Sequence, residues 1–115
     1  MSDNDLDTFT QFMNDGRERN NAYVRERGFK HLYVRKGPRY VNGICHDRVI
    51  DLANFEVNRP GTGVFGRFVA RLKKRWPAWG IYVESVLNER LPRRLRGLGF
   101  KRLGGTIPPC FWMPG

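Results

Sequence analysis

The sequence predicts one α/β domain over residues 1–115, with a mixed, mostly antiparallel central sheet flanked by helices. A chain of 115 residues suffices for a single core. Strand-like alternation in residues 48–57 precedes a helical stripe in residues 63–75 and a strand-like run in residues 80–86. This strand–helix–strand order implies a right-handed crossover and a mixed sheet. Hairpin-like segments on both sides of the unit supply the remaining strands.

Two helices are predicted within residues 1–30. The first, in residues 5–15, has apolar side chains at helical spacing and is followed by a glycine. The second is predicted for residues 17–27, with Gly28 as its end.

The next segment, HLYVRKGPRYVNG, predicts a hairpin. Residues 31–37 are rich in aromatic and branched side chains, and residues 38–43 would be the return strand, ending in an Asn-Gly turn. The longest strand follows in residues 48–57. Regular alternation there places two sets of side chains on opposite faces, Val49, Asp51, Ala53, Phe55 and Val57 against Ile50, Leu52, Asn54 and Glu56.

After this strand the period changes to that of a helix. One apolar stripe is predicted to face the core, made of Val64, Phe65, Phe68, Val69 and Leu72. A basic face is formed by Arg67, Arg71 and Lys74. Trp76-Pro77 ends the helix.

The last third of the chain predicts a strand, a short helix and a hairpin. GIYVESV is the strand. The helix begins close to Pro92, because proline is tolerated only in a first turn, and it ends at Gly97 and Gly99. FKRL and CFWM, on either side of GGTIPP, predict the hairpin.

The net charge is +10, from 21 basic and 11 acidic residues. The first fifteen residues hold four Asp and no Lys or Arg, so residues 16–115 carry 21 basic against 7 acidic residues, a balance of +14. Such a surface attracts polyanions, which include nucleic acid, acidic proteins and phosphorylated cofactors. An ordinary solvated face is the alternative interpretation.

The cysteines and the N-terminal segment bear on the compartment. Cys45 and Cys110 define neither a disulfide framework nor a zinc site and are typical of reduced intracellular thiols. The acidic, polar N-terminal segment is unlike a signal peptide, and no apolar run approaches the ~18 residues of a membrane span. We therefore expect a cytoplasmic protein with no membrane partner and no metal site.

The loop NRPGTGVF, at the start of the basic helix, is the strongest candidate site. A helix start presents unpaired backbone N–H groups and a partial positive charge. Gly61 and Gly63 leave those groups accessible, and Arg59, with Arg67 or Arg71, adds formal charge. The pattern predicts a pyrophosphate cradle, and a tight turn without a ligand is the alternative.

Two motifs together resemble the GNAT family of acetyl-CoA-dependent N-acetyltransferases. That family has a Q/R-x-x-G-x-G/A loop, and NRPGTG places Asn58 in its first position and Gly61 and Gly63 in its glycine positions. Asn88 and Gly99-Phe100 stand where the family has an Asn after the next strand and a Gly-Phe pair. The resemblance covers about residues 48–103. In its size the chain is similar to the small GNAT-like proteins that phages encode.

The resemblance implies acetyl-CoA as the cofactor, bound by the core in residues 48–103. The end of the long strand would pair with the pantetheine arm, backbone N–H groups of the glycine loop would hold the pyrophosphate, and Arg94 or Arg96 would reach the phosphate end. The residues so implied are Val57, Asn58, Arg59, Pro60, Gly61, Thr62, Gly63, Val64, Asn88 and Arg94.

Two residues are implied in catalysis. The N–H of Val57 would polarise the thioester carbonyl, as an oxyanion-hole donor does. Glu56 would take the proton of the acceptor amine. Glu84 is the reserve base, and a surface ion pair is the alternative role for Glu56. The family often has a Tyr as general acid where this chain has Leu95.

The function expected is acetyl transfer to a primary amine. A protein is the preferred acceptor, because a short chain with few loops encloses a small molecule poorly. A charged tRNA is a second acceptor class that suits the basic surface. Two alternatives lie in other classes: a catalytically degenerate GNAT fold that modulates a partner protein, which Leu95 favours, and a basic nucleic-acid-binding protein.

Overall fold

The computed structural model describes residues 7–14, 20–59, 61–84, 91–104 and 110–115. Within them lie three helices and six strands. In chain order these are α1 (Asp7–Asn14), β1 (Asn21–Tyr23), β2 (Phe29–Val41), β3 (Ile44–Val57), α2 (Val64–Arg75), β4 (Gly80–Val83), α3 (Leu91–Gly97), β5 (Lys101–Arg102) and β6 (Phe111–Met113).

The six strands form one sheet in the order β1-β2-β3-β4-β6-β5. Only β3 and β4 are parallel, and α2 connects them, so the predicted strand–helix–strand crossover is confirmed. All other neighbouring pairs are antiparallel. The predicted class, a mixed and mostly antiparallel sheet with helices, is therefore also confirmed. In the described part of the chain, no helix has the length and apolar character needed to cross a membrane.

The N-terminal prediction is half right. The first helix is confirmed as α1, but the second, predicted for residues 17–27, is wrong where the structure describes it. Asn21–Tyr23 instead forms the edge strand β1, which pairs with β2 and places the ring of Tyr23 4.8 Å from that of Tyr33. The segment has no apolar helical stripe, so pairing with a neighbouring strand decides its conformation.

The predicted hairpin within residues 31–43 is also wrong. β2 runs through Gly37 and Pro38 as a single strand, and the hairpin joins β2 to β3 through the Asn42-Gly43 turn. Both turn residues have positive φ, 52° and 81°, as a two-residue turn of this kind requires. Pro38 lies where the pairing register shifts, a position that needs no N–H donor.

A β-bulge interrupts the predicted alternation of β3. Leu52 pairs with Val34 and Asn54 with Tyr33, so Ala53 is the extra residue. Ile50 and Leu52 belong to the main core, and the partly buried Phe55 and Val57, which the regular pattern had placed on the opposite face, pack against it. The face prediction is thus right up to Leu52 and wrong beyond it.

The sheet has two faces of different character. One, which we call the helix face, carries the main apolar core, to which α1, α2 and α3 contribute Phe9, Phe68 and Leu95, each 0 % exposed. The other, which we call the far face, carries a smaller cluster without residues from the described helices. That cluster consists of Val41, Val49, Tyr82, Leu103, Cys110 and Trp112.

Candidate functional site

The glycine loop lies between the end of β3 and the start of α2. Gly61 and Gly63 have φ values of 89° and 82°, which residues with a Cβ rarely adopt. Thr62 stabilises the turn, since its hydroxyl donates to the carbonyl of Arg59 at 2.6 Å. The two glycines therefore serve the backbone conformation of the loop.

The N-terminus of α2 is a site that suits an anion. Gly63 is the residue before the first turn, and no side-chain cap and no acidic residue occurs there within the described residues. The first intrahelical bond joins the N–H of Arg67 to the carbonyl of Gly63 at 3.0 Å. The N–H groups of the preceding residues have no partner in the helix, so they can donate to a ligand.

Two arginines reach the loop from different helices. A Cβ on Gly63 would lie 2.9 Å from Nη1 of Arg67, and a Cβ on Gly61 would lie 3.7 Å from Nη2 of Arg94. Arg67 also donates to the carbonyl of Thr62 at 3.1 Å. The structure thus brings the sequence-predicted Arg94 to the loop, from α3. Both guanidinium groups add charge beside the backbone donors.

Arg71 has a different role from the one suggested by its place on the basic face. Its Nη2 lies 3.3 Å from Oε1 of Glu26, whose side chain is 0 % exposed. Arg71 therefore balances a buried carboxylate and is engaged away from the loop.

Gly28 contacts both ends of the glycine loop, a role that the sequence does not predict. Its carbonyl accepts a hydrogen bond from the N–H of Asn58 at 2.7 Å. A Cβ on Gly28 would lie 2.6 Å from Cγ1 of Val64, the first residue of α2. Because Gly28 contacts both ends of the loop, its lack of a side chain fixes the distance between β3 and α2. A glycine outside the motif gives no sequence signal for such a contact.

The strand β3 has an edge that extends beyond its parallel partner. The β3–β4 pairing ends at Leu52 and Val83, whereas β3 continues to Val57. The N–H of Asn58 points towards β2, where it donates to Gly28, so the N–H and carbonyl of Val57 point to the opposite edge. Backbone groups of Val57 therefore point away from β2, next to the glycine loop, and within the described residues no backbone group pairs with them there.

Glu56, the predicted base, is on the surface. Its Oε2 lies 3.1 Å from Nζ of Lys30, and the two side chains are 54 % and 56 % exposed. This is the ion pair that the alternative interpretation expects. The role of Glu56 as a base stays a prediction.

A second carboxyl group near β3 was not predicted to act. Asp51, 3 % exposed, is buried on the far face, and Nη1 of Arg39 donates to its Oδ2 at 3.0 Å. Arg39 in turn stacks over Tyr82, 3.9 Å from the ring centroid. Glu84, the reserve base, lies beside the same arginine, with its Oε2 3.8 Å from Nη1 of Arg39. The two acids are 33 positions apart in the chain, so no local pattern predicts that they lie close together.

The surroundings of Asp51 favour its neutral form. Burial, followed by the neighbouring Glu84, raises its pKa to about 8, and Arg39 and Arg35 counteract only part of this. Glu84 is less buried, at 20 % exposure, and its Oε2 lies 3.6 Å from Arg35 and 3.8 Å from Arg39. At neutral pH Asp51 therefore holds its proton.

Three further residues complete the predicted set. Pro60 and Asn88 lie outside the described residues. Leu95 is fully buried in the main core, so an apolar side chain at this position packs against the sheet. Just after α3, the N–H of Phe100 bonds to the carbonyl of Leu95 at 2.9 Å, and Gly99, with φ of 100°, follows the helix end, as the glycines at its end predict.

Comparison with family models, curated proteins and solved structures finds no match for this chain.

Proposed function

We propose that this protein is an acetyl-CoA-dependent N-acetyltransferase that transfers an acetyl group to a primary amine, most of all on a protein. The observation that carries the proposal is the loop between β3 and α2. There two glycines with positive φ, an uncapped helix start and the guanidinium groups of Arg67 and Arg94 come together. The GNAT-like motifs in the sequence point to the same loop.

The residues present fit the pyrophosphate of a coenzyme A molecule. Phosphate oxygens accept hydrogen bonds from backbone N–H groups at a helix start, where the helix dipole adds a favourable field. Arg94 can supply a bidentate charged contact, which phosphate favours. Arg59 lies on the exposed surface of the same loop.

The extended edge of β3 fits the rest of the cofactor. A pantetheine arm has two amide groups, and it can pair with a strand edge as a short additional strand. The N–H of Val57 points towards this edge, as its proposed role at the thioester carbonyl requires. Glu56, adjacent to it, is the base that the sequence proposes. With Leu95 in the core, the departing thiolate leaves without an acid from that position, which a thiol of ordinary pKa tolerates.

The proposal is tested first by binding. Calorimetric titration of the parent with acetyl-CoA and with CoA should show saturable binding. Gly63→Val should weaken it by on the order of 10–100-fold, because a branched side chain strains a backbone with positive φ. Gly104→Val is the matched control, since a Cβ at the exposed Gly104 would have no atom within 4 Å. Circular dichroism shows whether each variant is folded.

Arg94→Ala is a second variant that leaves the loop backbone intact, and it should weaken binding less than Gly63→Val. A folded Gly63→Val variant that binds as tightly as the parent would show that the loop is a turn and no cradle. A parent that binds neither ligand would favour the binding-protein alternatives. If binding is found, release of free CoA thiol with a pool of lysine-containing peptides tests the transfer itself.

A further inference from the structure

The net positive charge of the protein comes from one part of the chain. Residues 1–56 contain nine basic and nine acidic residues, so they contribute no net charge. Residues 57–115 contain twelve basic and two acidic residues, and this excess equals the net charge of the whole chain, +10. The two acids are Glu84 and Glu89, so neither residues 57–83 nor residues 90–115 include one. The elements α2, α3 and β5 therefore carry basic residues and no acidic ones.

These three elements lie side by side. A Cβ on Gly66 of α2 would lie 3.5 Å from Cδ2 of Leu98, directly after α3. A Cβ on Gly99 would lie 3.6 Å from Cε of Met113 in β6, the strand that pairs with β5. Nζ of Lys73 in α2 donates to the backbone carbonyl just after β6 at 2.8 Å. The contacts thus bring the bases of α2, α3 and β5 to one side of the molecule.

Six bases of these elements are exposed and lie away from the glycine loop. We call them the basic surface, and they are Lys74, Arg75, Arg93, Arg96, Lys101 and Arg102. None of them forms an ion pair within the described residues, where the bases in ion pairs are Lys30, Arg35, Arg39 and Arg71. Like charges that lie close together repel one another and oppose the compact state. A bound polyanion would remove this repulsion.

We propose that the basic surface binds the sugar–phosphate backbone of a double-stranded nucleic acid, without reading its sequence. The proposal goes beyond the acetyltransferase function and does not rest on it. The basic surface leaves out Arg67 and Arg94, the two arginines at the glycine loop, so the cofactor and the nucleic acid have separate sites.

The type and number of bases suit a phosphate backbone. Four of the six are arginines, whose planar guanidinium group can donate two parallel hydrogen bonds to one phosphate. The 12 residues of α2 alone span about 18 Å, a length over which duplex DNA presents roughly ten phosphate charges. Several of the bases can therefore contact phosphates at the same time.

An acidic protein suits the basic surface less well. Protein interfaces combine charge with apolar or aromatic side chains that act as anchors. In the part of the chain that the structure describes, the large apolar side chains that are exposed are Tyr23, Tyr40 and Ile44, which belong to β1, β2 and β3. The basic surface includes none of them, and a nucleic-acid backbone needs only charges and hydrogen-bond donors.

A single strand is the less suitable form of nucleic acid. Proteins that hold single strands stack the bases on aromatic side chains. The aromatic rings beside the basic surface are engaged within the protein. The ring of Trp76, next to Arg75, lies 5.5 Å from that of Phe9, and Trp112, which pairs with Lys101, is 7 % exposed in the far-face cluster. A duplex keeps its own bases stacked and presents its backbone, which is the part that cations bind.

Fluorescence anisotropy with labelled duplexes of about 20 base pairs tests the proposal. The parent should bind duplex DNA or duplex RNA with a Kd of about 10⁻⁶–10⁻⁴ M at physiological salt, the range of non-specific binding. A plot of log K against log salt concentration should have a slope of about −4 to −5, which corresponds to roughly five phosphate contacts. Two unrelated sequences should bind equally, and the comparison of DNA with RNA identifies the preferred duplex.

Two double variants locate the binding on the basic surface. Lys101→Ala with Arg102→Ala should make the slope shallower by about 2 and weaken duplex binding roughly 10–100-fold at about 0.1 M salt, because each lost contact retains its counterion. Lys74→Ala with Arg75→Ala, on α2 instead of β5, should have the same effect. Circular dichroism shows whether each is folded, and either variant alone suffices for the test.

The matched control removes the same charge elsewhere. Arg25 and Arg48 are exposed bases in the part of the chain without net charge. Arg25→Ala with Arg48→Ala should change the slope by less than about 1. Equal losses in this control and in the surface variants would show that net charge alone attracts the nucleic acid, and the proposal would be wrong.

Other results would also overturn the proposal. They are a parent slope shallower than about −2, a single strand that binds more tightly than the duplex of the same sequence, and a polyglutamate peptide that does so. Acetyl-CoA should bind the Lys101→Ala, Arg102→Ala variant as tightly as it binds the parent. A parent that binds a duplex but not acetyl-CoA refutes the proposed function and supports this inference, whereas one that binds acetyl-CoA but neither duplex refutes this inference alone.

Discussion

On the helix face, β3 contributes Ile50 and Leu52 to an apolar core, whereas on the far face the same stretch contributes Asp51, a carboxyl that is 3 % exposed. Successive side chains of a strand point to opposite faces of the sheet, so three consecutive residues contribute to both faces. The apolar face contributes stability by burial, while burying a carboxyl opposes it unless the group is paired or protonated. The two faces therefore have separate roles, and apolar burial on the helix face offsets the free energy that burying Asp51 on the far face costs.

The largest effect should come from breaking the helix face. Phe68 is 0 % exposed, with its ring centroid 5.8 Å from that of Phe9 and 5.0 Å from that of Phe29. Phe68→Ala should lower the free energy of unfolding by about 3–5 kcal/mol, because it removes buried area and leaves a cavity. Urea denaturation measures it. Tyr23→Ala, at a side chain that is 73 % exposed, is the control, and equal losses in the two variants would contradict the comparison.

A smaller effect, with a distinct pH dependence, should come from the far face. The pKa of Asp51 is raised in the folded state, so the folded protein holds a proton that the unfolded chain has released between about pH 4 and pH 8. The contribution of Asp51 to stability is present below pH 4 and lost as the pH rises through about 8.

Asp51→Asn should therefore flatten this dependence. The free energy of unfolding of the parent should fall more between pH 5 and pH 8 than that of the variant, by on the order of 2 kcal/mol. Denaturation of both proteins at the two pH values gives the double difference, in which other carboxylates cancel. Parallel curves would show that Asp51 titrates as an ordinary exposed acid.

The smallest effect should come from the exposed ion pair of Glu56 and Lys30. Both side chains are more than half exposed, so Glu56→Gln should change the free energy of unfolding by less than about 1 kcal/mol. High salt should reduce even this difference. Denaturation at low and high salt measures it. If the stability of this variant changes little, any change in its turnover reports on the reaction and not on folding. A large loss of stability would mean that Glu56 has a structural partner beyond Lys30.

Local signals were sufficient for much of the fold. Three features depend only on residues close to them in the chain, and each lies where the sequence predicts it: the apolar stripe of α2, the Asn-Gly turn and the glycine that closes α3. The turn at Gly61 and Gly63 belongs to this group too, whereas the support that Gly28 gives to the loop comes from outside the motif.

Long-range contacts account for what the sequence could not predict. The bulge at Ala53 reverses the faces of β3, and it depends on how Tyr33 and Val34 pair across the hairpin. The Asp51–Glu84 pair depends on the register of two strands joined by a helix. Neither the bulge nor the proximity of Asp51 and Glu84 produces a periodic pattern in the sequence. The sequence therefore places Phe55 on the wrong face and predicts no role for Asp51.

The Asn42-Gly43 turn has a consequence for the order of folding. It joins two strands of 13 and 14 residues by two residues, so the β2–β3 hairpin closes with little loss of chain entropy, on a scale of roughly microseconds. β4 must find β3 across 31 positions, from Val49 to Gly80. Asp51 meets Glu84 only in that later step, so a proton should be taken up from water when β4 docks, and the rate of docking, unlike that of hairpin formation, should depend on pH.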